Sequence, residues 1–282
     1  MFRWLVLMIS LFATSASRAV DTALLQRENL VAWCIVPFDV KKRGPEERAV
    51  MLERLGIHQL AYDWRDEHVA GFDAEVEAMQ RHKIAITAWW MPGVLDGNSR
   101  KIIEVIRRHG IHPQWWVLIG EPLPGNPDQE AKLRAAAEQL RPLVLEARAL
   151  GCKVALYNHG GWFGEPRNQI AIIRALDSPE VGMVYNFHHG HAHVADFPRL
   201  FDEMKPHLLA LNLNGMVDDA DQKGLKIMPP GKGEHEAAML RHVLASGWKG
   251  PVGILSHLPE TDAEVTLRTN LEALEALRLR LE

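Results

Sequence analysis

The chain has little cysteine, only Cys34 and Cys152 in 282 residues. That excludes a disulfide-built scaffold, and the spacing matches no zinc motif. Both cysteines sit in or beside apolar runs and read as buried thiols, with pairing in an oxidising compartment left open. Basic excess is also missing. The net charge is −4 and no basic patch is clustered, which excludes an ordinary nucleic-acid binder. Beyond the N-terminus no apolar run is long enough to cross a bilayer. There is no lipobox cysteine, low-complexity tract, linker or internal repeat, and no obvious phosphate-cradling glycine loop.

The N-terminus is different. Arg3 precedes the short apolar stretch Trp4 to Ala13, and Ser17-Arg18-Ala19 is a small-x-small pattern. Residues 1–19 therefore read as a signal peptide, and the protein is expected to be exported. An uncleaved anchor is the alternative. The remaining composition, 47% hydrophobic and 24% charged, is that of a globular protein with a sizeable core.

From residue 28 to 282 short apolar runs alternate with amphipathic stretches. Strands are expected at Leu30–Val36, Gln59–Trp64, Ile84–Trp90, Trp115–Gly120, Lys153–Tyr157, Val181–Tyr185, Leu208–Leu213 and Pro251–Leu255. Helical spacing follows each one, ending with Asp262–Leu279. The strands are continuously apolar rather than alternating, as in a parallel sheet covered on both faces. Eight βα units at this length fit an α/β fold of one domain, a closed (β/α)8 barrel.

In such barrels the chemistry lies at the C-terminal ends of the strands. Those positions hold Asp63, Arg65 and His68; Trp89 and Trp90; Glu121; Asn158, His159 and Trp162; Asn186, His188, His189, His191 and His193; Asn212 and Asn214; and His257. Half of the fourteen histidines fall there. Imidazole is the usual proton shuttle near neutral pH and a common transition-metal ligand. Indole faces beside amides and carboxylates suit a small-molecule carbohydrate. The plainer readings are an Asp63–Arg65 ion pair, His191 and His193 as loop solvation, and one of Trp89 and Trp90 as core, since neighbours on a strand point to opposite sides. Glu121, His159 and His189 are the candidate catalytic groups. Asp63, Arg65, His68, Trp90, Asn158, Trp162, Asn186, His188, Asn212 and Asn214 are the candidate substrate-binding groups.

Several segments in order resemble the xylose-isomerase-like TIM-barrel superfamily of sugar phosphate isomerases and epimerases. Ala155-Leu156-Tyr157-Asn158-His159-Gly160-Gly161 is similar to its Glu-Asn-His segment. Asn186-Phe187-His188-His189 is similar to its Asp-x-x-His segment. Leu211-Asn212-Leu213-Asn214 lies where it has a His-x-Lys-Asp-type strand. Pro230-Gly231-Lys232-Gly233-Glu234 resembles its Pro-Gly-x-Gly-Glu loop, and Gly247-Trp248-Lys249-Gly250-Pro251 the turn before its last strand. The resemblance implies a divalent metal held by Glu, Asp, His and Glu at the ends of strands five to eight. Here those places hold Tyr157, Asn186, Asn212 and Leu255-Ser256, so the carboxylates that attract a hard cation are gone. A different set, His159, His189 and His257 with Glu121, would favour zinc or another borderline metal. The cofactor stays open between such a metal (zinc or manganese) and none.

The expected activity is proton abstraction next to a sugar carbonyl, as in an isomerase, epimerase or lyase. The alternative is an inactive barrel that binds sugar or a partner. A glycoside hydrolase is a third reading, because Gly120-Glu121-Pro122 resembles the Asn-Glu-Pro segment of a large retaining clan. That chemistry needs a second carboxylate about 5 Å away, and strand seven offers none. Oligomeric state is not legible.

Overall fold

In the computed structural model, residues 21–125 and 127–282 are described. The expected signal peptide lies outside them. Eight parallel strands close into a ring in sequence order. They are β1 (Leu30–Trp33), β2 (Gln59–Tyr62), β3 (Ala85–Pro92), β4 (Gln114–Leu118), β5 (Lys153–Tyr157), β6 (Val181–Asn186), β7 (Leu208–Leu213) and β8 (Val252–Leu255). The ring closes through β1 and β8, with Leu30 opposite Val252 and Trp33 opposite Leu255.

The helices are α1 (Pro45–Leu55), α2 (Phe72–Arg81), α3 (Gly97–His109), α4 (Gln129–Ala149), α5 (Gly161–Gly164), α6 (Pro166–Leu176), α7 (Phe197–Met204), α8 (Ala220–Lys223), α9 (Glu236–Ala245) and α10 (Ala263–Leu281). Their limits follow from local chemistry. Asp96 caps α3 by accepting from the amides of Asn98 and Ser99, and Gly110 ends it at φ 60°. Asp128 caps α4 by accepting from the Ala131 amide, so that helix starts at Gln129.

The expected strand over Leu30–Val36 stops at Trp33. Cys34 turns into the left-handed region at φ 54°, which ends the extended run. Ile35 and Val36 stay buried in the turn that follows.

Two apolar bodies result. One fills the space between strands and helices; Trp89 belongs to it, edge-on to Tyr62 and Phe72. The other fills the lumen, with Val31, Ala61, Ala88, Ala155, Val184 and Ala210 below a layer of Trp33, Trp116 and Tyr157. Small and branched residues in the lower lumen leave room for rings above, so the indoles form a floor under the C-terminal mouth. Cys34 and Cys152 are free and buried. No helix among the described residues is long and apolar enough to cross a membrane.

Candidate active site

The aromatic floor is tied together by neutral hydrogen bonds. Trp33 packs edge-on against Trp116 with ring centroids 4.8 Å apart, and Trp90 edge-on against Tyr157 at 5.2 Å. The Tyr157 hydroxyl accepts from Trp33 Nε1 at 3.2 Å and from Asn186 Nδ2 at 2.5 Å. The Asn186 side-chain oxygen accepts from the His188 amide at 3.2 Å. Asn158 laces β5 to β6: its oxygen accepts from the Asn186 amide and its nitrogen donates to the Asn186 carbonyl. The amide of Asn212 lies against Gly253, where any side chain on residue 253 would collide with it.

Above the floor lies a cavity of about 50 Å³, lined by Trp33, Cys34, Asp63, Trp90 and Tyr157 below and by His159, His188, His189 and His257 at the mouth. The turn after β6 builds most of it. Phe187 packs outward, edge-on to Phe197, and this swings His188 and His189 back over the mouth. Gly190 permits that turn, since a Cβ there would lie 2.2 Å from the Tyr185 hydroxyl. The imidazoles are close: ring centroids are 3.6 Å apart for His188 and His189, 4.4 Å for His159 and His189, and 5.1 Å for His188 and His257. Both ring nitrogens of His188, Nε2 of His189 and Nδ1 of His257 are buried with no hydrogen-bond partner among the described residues.

Such groups are costly in a fold unless something else uses them. Burial, reinforced by the neighbouring imidazoles, holds His188 well below the usual imidazole range. The same causes, burial first, lower His189 to about 3 and His257 to about 4. His159, at the rim, is lowered as well, chiefly by desolvation. At neutral pH the quartet is therefore uncharged, able to donate at one nitrogen and accept at the other.

Asp63 completes the cavity wall. It is 1% exposed; Oδ1 accepts from the Val36 amide at 3.2 Å, and Oδ2 has no partner among the described residues. Burial, outweighing the nearby Arg65, lifts its carboxyl to about 7. Arg65 does not pair with it. The guanidinium donates to the carbonyls of Asp63 and Trp64, and lies over the Phe38 ring.

Two residues of this wall carry backbone strain. Cys34 at φ 54° and His257 at φ 48° are left-handed without being glycine, and the His257 amide donates to the Cys34 carbonyl at 3.1 Å. Strain of this kind clusters where a side chain must be aimed.

The other expected site residues are placed elsewhere. Glu121 does not line the cavity. It is exposed and paired to Lys132 at 2.5 Å, and Lys132 lies over the Trp162 ring. Trp162 in turn donates to Gln129 on α4. Glu121 and Trp162 thus form a patch outside the histidine cluster, because the loop after β4 runs outward to meet α4. His68 accepts from the Arg65 amide and so braces its own turn. Asn214 is spent on loop backbone, donating to the carbonyls of Gly215 and Lys226 and accepting from the Met228 amide. His191 is held against the carbonyls of Val217 and Lys226, and His193 bonds Tyr185 and Glu165. Among the expected groups, Asp63, Arg65, Trp90, His159, His188, His189 and His257 come together. Cys34 and Tyr157 join them; the visible signal for Tyr157 was its position at the end of β5.

The residues do not fit a hard divalent cation at the ends of β5 to β8. The oxygens there are neutral; that of Tyr157 already accepts from Asn186 Nδ2 and Trp33 Nε1, and that of Asn186 accepts from the His188 amide. Nor is the set His159, His189, His257 and Glu121 assembled for one ion, since no three of these have ligand atoms within 4.8 Å of one another. Among the described residues only Asp218, Glu234 and His235 meet that test, on the surface.

A larger cleft of about 680 Å³ opens at the opposite end of the barrel, beside Gln59, Thr87, Gln114 and Lys153. Its titratable lining groups are Lys153 and His112, so it offers volume rather than converging chemistry. The C-terminal mouth is where barrels of this kind react.

Comparison with curated proteins gives no match. Among solved structures, a Sinorhizobium meliloti protein is 18% identical with a TM-score of 0.68, over 89% of this chain and 99% of its own. The 3-keto-D-glucoside 4-epimerase of E. coli is 14% identical with a TM-score of 0.64, over 89% and 99%. The D-psicose 3-epimerase of Clostridium cellulolyticum, solved with D-tagatose, is 13% identical with a TM-score of 0.65, over 90% and 99%. Residues 62–277 match the model of the xylose isomerase-like TIM barrel, and the chain belongs to that family.

Proposed function

We propose that this barrel is a carbohydrate isomerase or epimerase that moves a proton on the carbon next to a sugar carbonyl. The observation that carries the reading is four neutral imidazoles over one small cavity, three of them (His188, His189 and His257) with buried nitrogens unpartnered among the described residues. Abstraction of such a proton throws charge onto the carbonyl oxygen, and pre-placed N–H donors in a dry site stabilise it. Neutral imidazole can donate there and can also pass a proton between neighbouring oxygens. The cavity holds only the reacting end of a sugar; Trp90 and the rim residue His159 give the remainder a surface to lie on. With the imidazoles neutral and the Arg65 guanidinium spent on the carbonyls of Asp63 and Trp64, the lining favours a sugar without phosphate. The epimerases among the structural neighbours agree with this class of reaction. Arg3 and the apolar stretch after it add an exported location, tested by the N-terminal mass of protein recovered outside the cytoplasm.

The test is hydrogen exchange. Unphosphorylated ketoses and aldoses are incubated with the protein in D2O and followed by NMR. Deuterium appearing next to the carbonyl, and disappearing with His189→Gln, supports the reading. Sugars that bind without any exchange would leave a binding barrel instead.

A further inference from the structure

We propose that Asp63, at the end of β2, is the base that takes the substrate proton and returns it. The inference rests on the proton-transfer reading above. Asp63 is the one carboxylate among the residues that line the histidine cavity. Its geometry is that of a group held for use. One oxygen is fixed by the Val36 amide, at the turn where the left-handed Cys34 ends β1. The other oxygen is buried and unpartnered among the described residues. A carboxylate so deep in a fold is normally paired. Arg65, two residues on in the same loop, is instead spent on backbone carbonyls.

The groups around it are consistent with a base near neutrality. From the β1 turn the Cys34 thiol faces it, itself pushed up by burial. Tyr157 faces it from β5, its hydroxyl pushed up by burial, while Tyr62, next to it in the chain, packs outward against Phe72 and Trp89 and is also pushed up by burial. Arg48 of α1 acts from behind and is paired with Glu75 at 3.0 Å, leaving Asp63 without a full counter-charge. The mouth imidazoles are neutral, so they do not hold Asp63 ionised through a salt bridge.

For an isomerisation the balance is as follows. The carboxylate of Asp63 removes hydrogen from the carbon bearing a hydroxyl beside the carbonyl. That C–H bond breaks, an O–H bond forms on Asp63, and the electron pair becomes the C=C bond while the carbonyl oxygen turns anionic. One imidazole relays a proton from the hydroxyl oxygen to that anion and ends neutral. The carboxyl then gives its proton to the former carbonyl carbon, and the new carbonyl forms on its neighbour. Nothing is oxidised or reduced overall.

The experiment uses the full chain and unphosphorylated hexoses in D2O. Asp63→Asn should lose exchange by about a hundredfold or more, while calorimetry shows sugar still bound. The wild-type rate should fall as pH drops through about 7, where the carboxyl protonates. The residual Asp63→Asn rate should lack that limb, and Asp63→Glu should restore part of both. Asp66→Asn, an exposed neighbour, controls for charge and should behave as wild type. Exchange by Asp63→Asn at the wild-type rate, or a wild-type profile flat through pH 7, overturns the role of Asp63 and leaves the proton-transfer reading standing. A wild-type protein that exchanges no sugar overturns both.

Discussion

Tyr157→Phe is the sharpest probe of how the floor supports the site. The change removes one oxygen and almost no volume, so no cavity term arises. It takes the acceptor from two buried donors, Trp33 Nε1 and Asn186 Nδ2. Each donor left unsatisfied costs about 1–3 kcal/mol, giving roughly 2–6 kcal/mol for the two. That is a large part of an ordinary folding stability of about 5–15 kcal/mol. Urea unfolding should show a lower midpoint with an unchanged slope, because the surface exposed on unfolding is the same. A Trp33→Phe, Tyr157→Phe cycle should give a coupling of roughly 0.5–3 kcal/mol, since the hydroxyl is shared. Activity should fall too, because Asn186 also anchors the backbone of His188. A stability loss under about 1 kcal/mol would show that the hydroxyl is not the keystone of the floor, and the argument from unsatisfied donors would fail.

Replacing His188 or His189 by Gln should each lower exchange by about a hundredfold, whereas Glu121→Gln should leave turnover unchanged, since Glu121 sits with Lys132 outside the cavity; initial rates decide it. Stability should be highest above about pH 6.5 with respect to the histidines. His189 and His257 titrate near 3 and 4 when folded but near 6.5 when unfolded, so the unfolded chain binds more protons as pH falls through that window and stability drops. Asp63 works in the opposite sense, because its folded value near 7 exceeds the unfolded 3.8; its contribution is present at low pH and lost as pH rises toward 7. In thermal melts at pH 5 against pH 8, His257→Asn should therefore narrow the acid loss, and Asp63→Asn should gain relative to wild type at pH 8. Millimolar Mg²⁺ or Mn²⁺ should not move the melting temperature, because only a ligand that binds the folded state stabilises it and the strand ends offer no carboxylate cage; a clear upward shift would refute the misfit argued above.

The ring of strands was legible because each strand is apolar throughout and closed by a polar or glycine-rich segment. The histidines of the β6 turn were legible for the same reason: the apolar run Val181–Tyr185 pointed straight at them. Asp63 was visible only as a charged residue at a strand end. Whether it pairs with Arg65, two positions on, depends on where a guanidinium turns, and no spacing rule tells that the arginine is drawn away to carbonyl groups. Glu121 shows the opposite dependence on loop path. Glycine and proline around a strand-end carboxylate look like a prepared site, but the loop carries it out to Lys132, a partner eleven residues on. That neutral Tyr157, Asn186 and Asn212 stand at the ends of β5, β6 and β7 was readable residue by residue, whereas the hydrogen bonds that tie Tyr157 to Asn186 and Trp33 exist only once β1 lies across the lumen.

The link from the His257 amide to the Cys34 carbonyl joins the last strand of the ring to the first. His257 therefore reaches its place only when β8 has docked, and the strained backbone on both sides of the seam is held by that docking. A chain still emerging, or one whose final strand has slipped out, has the other histidines but not a sealed cavity. Appearance of activity during refolding would then report that the ring has closed.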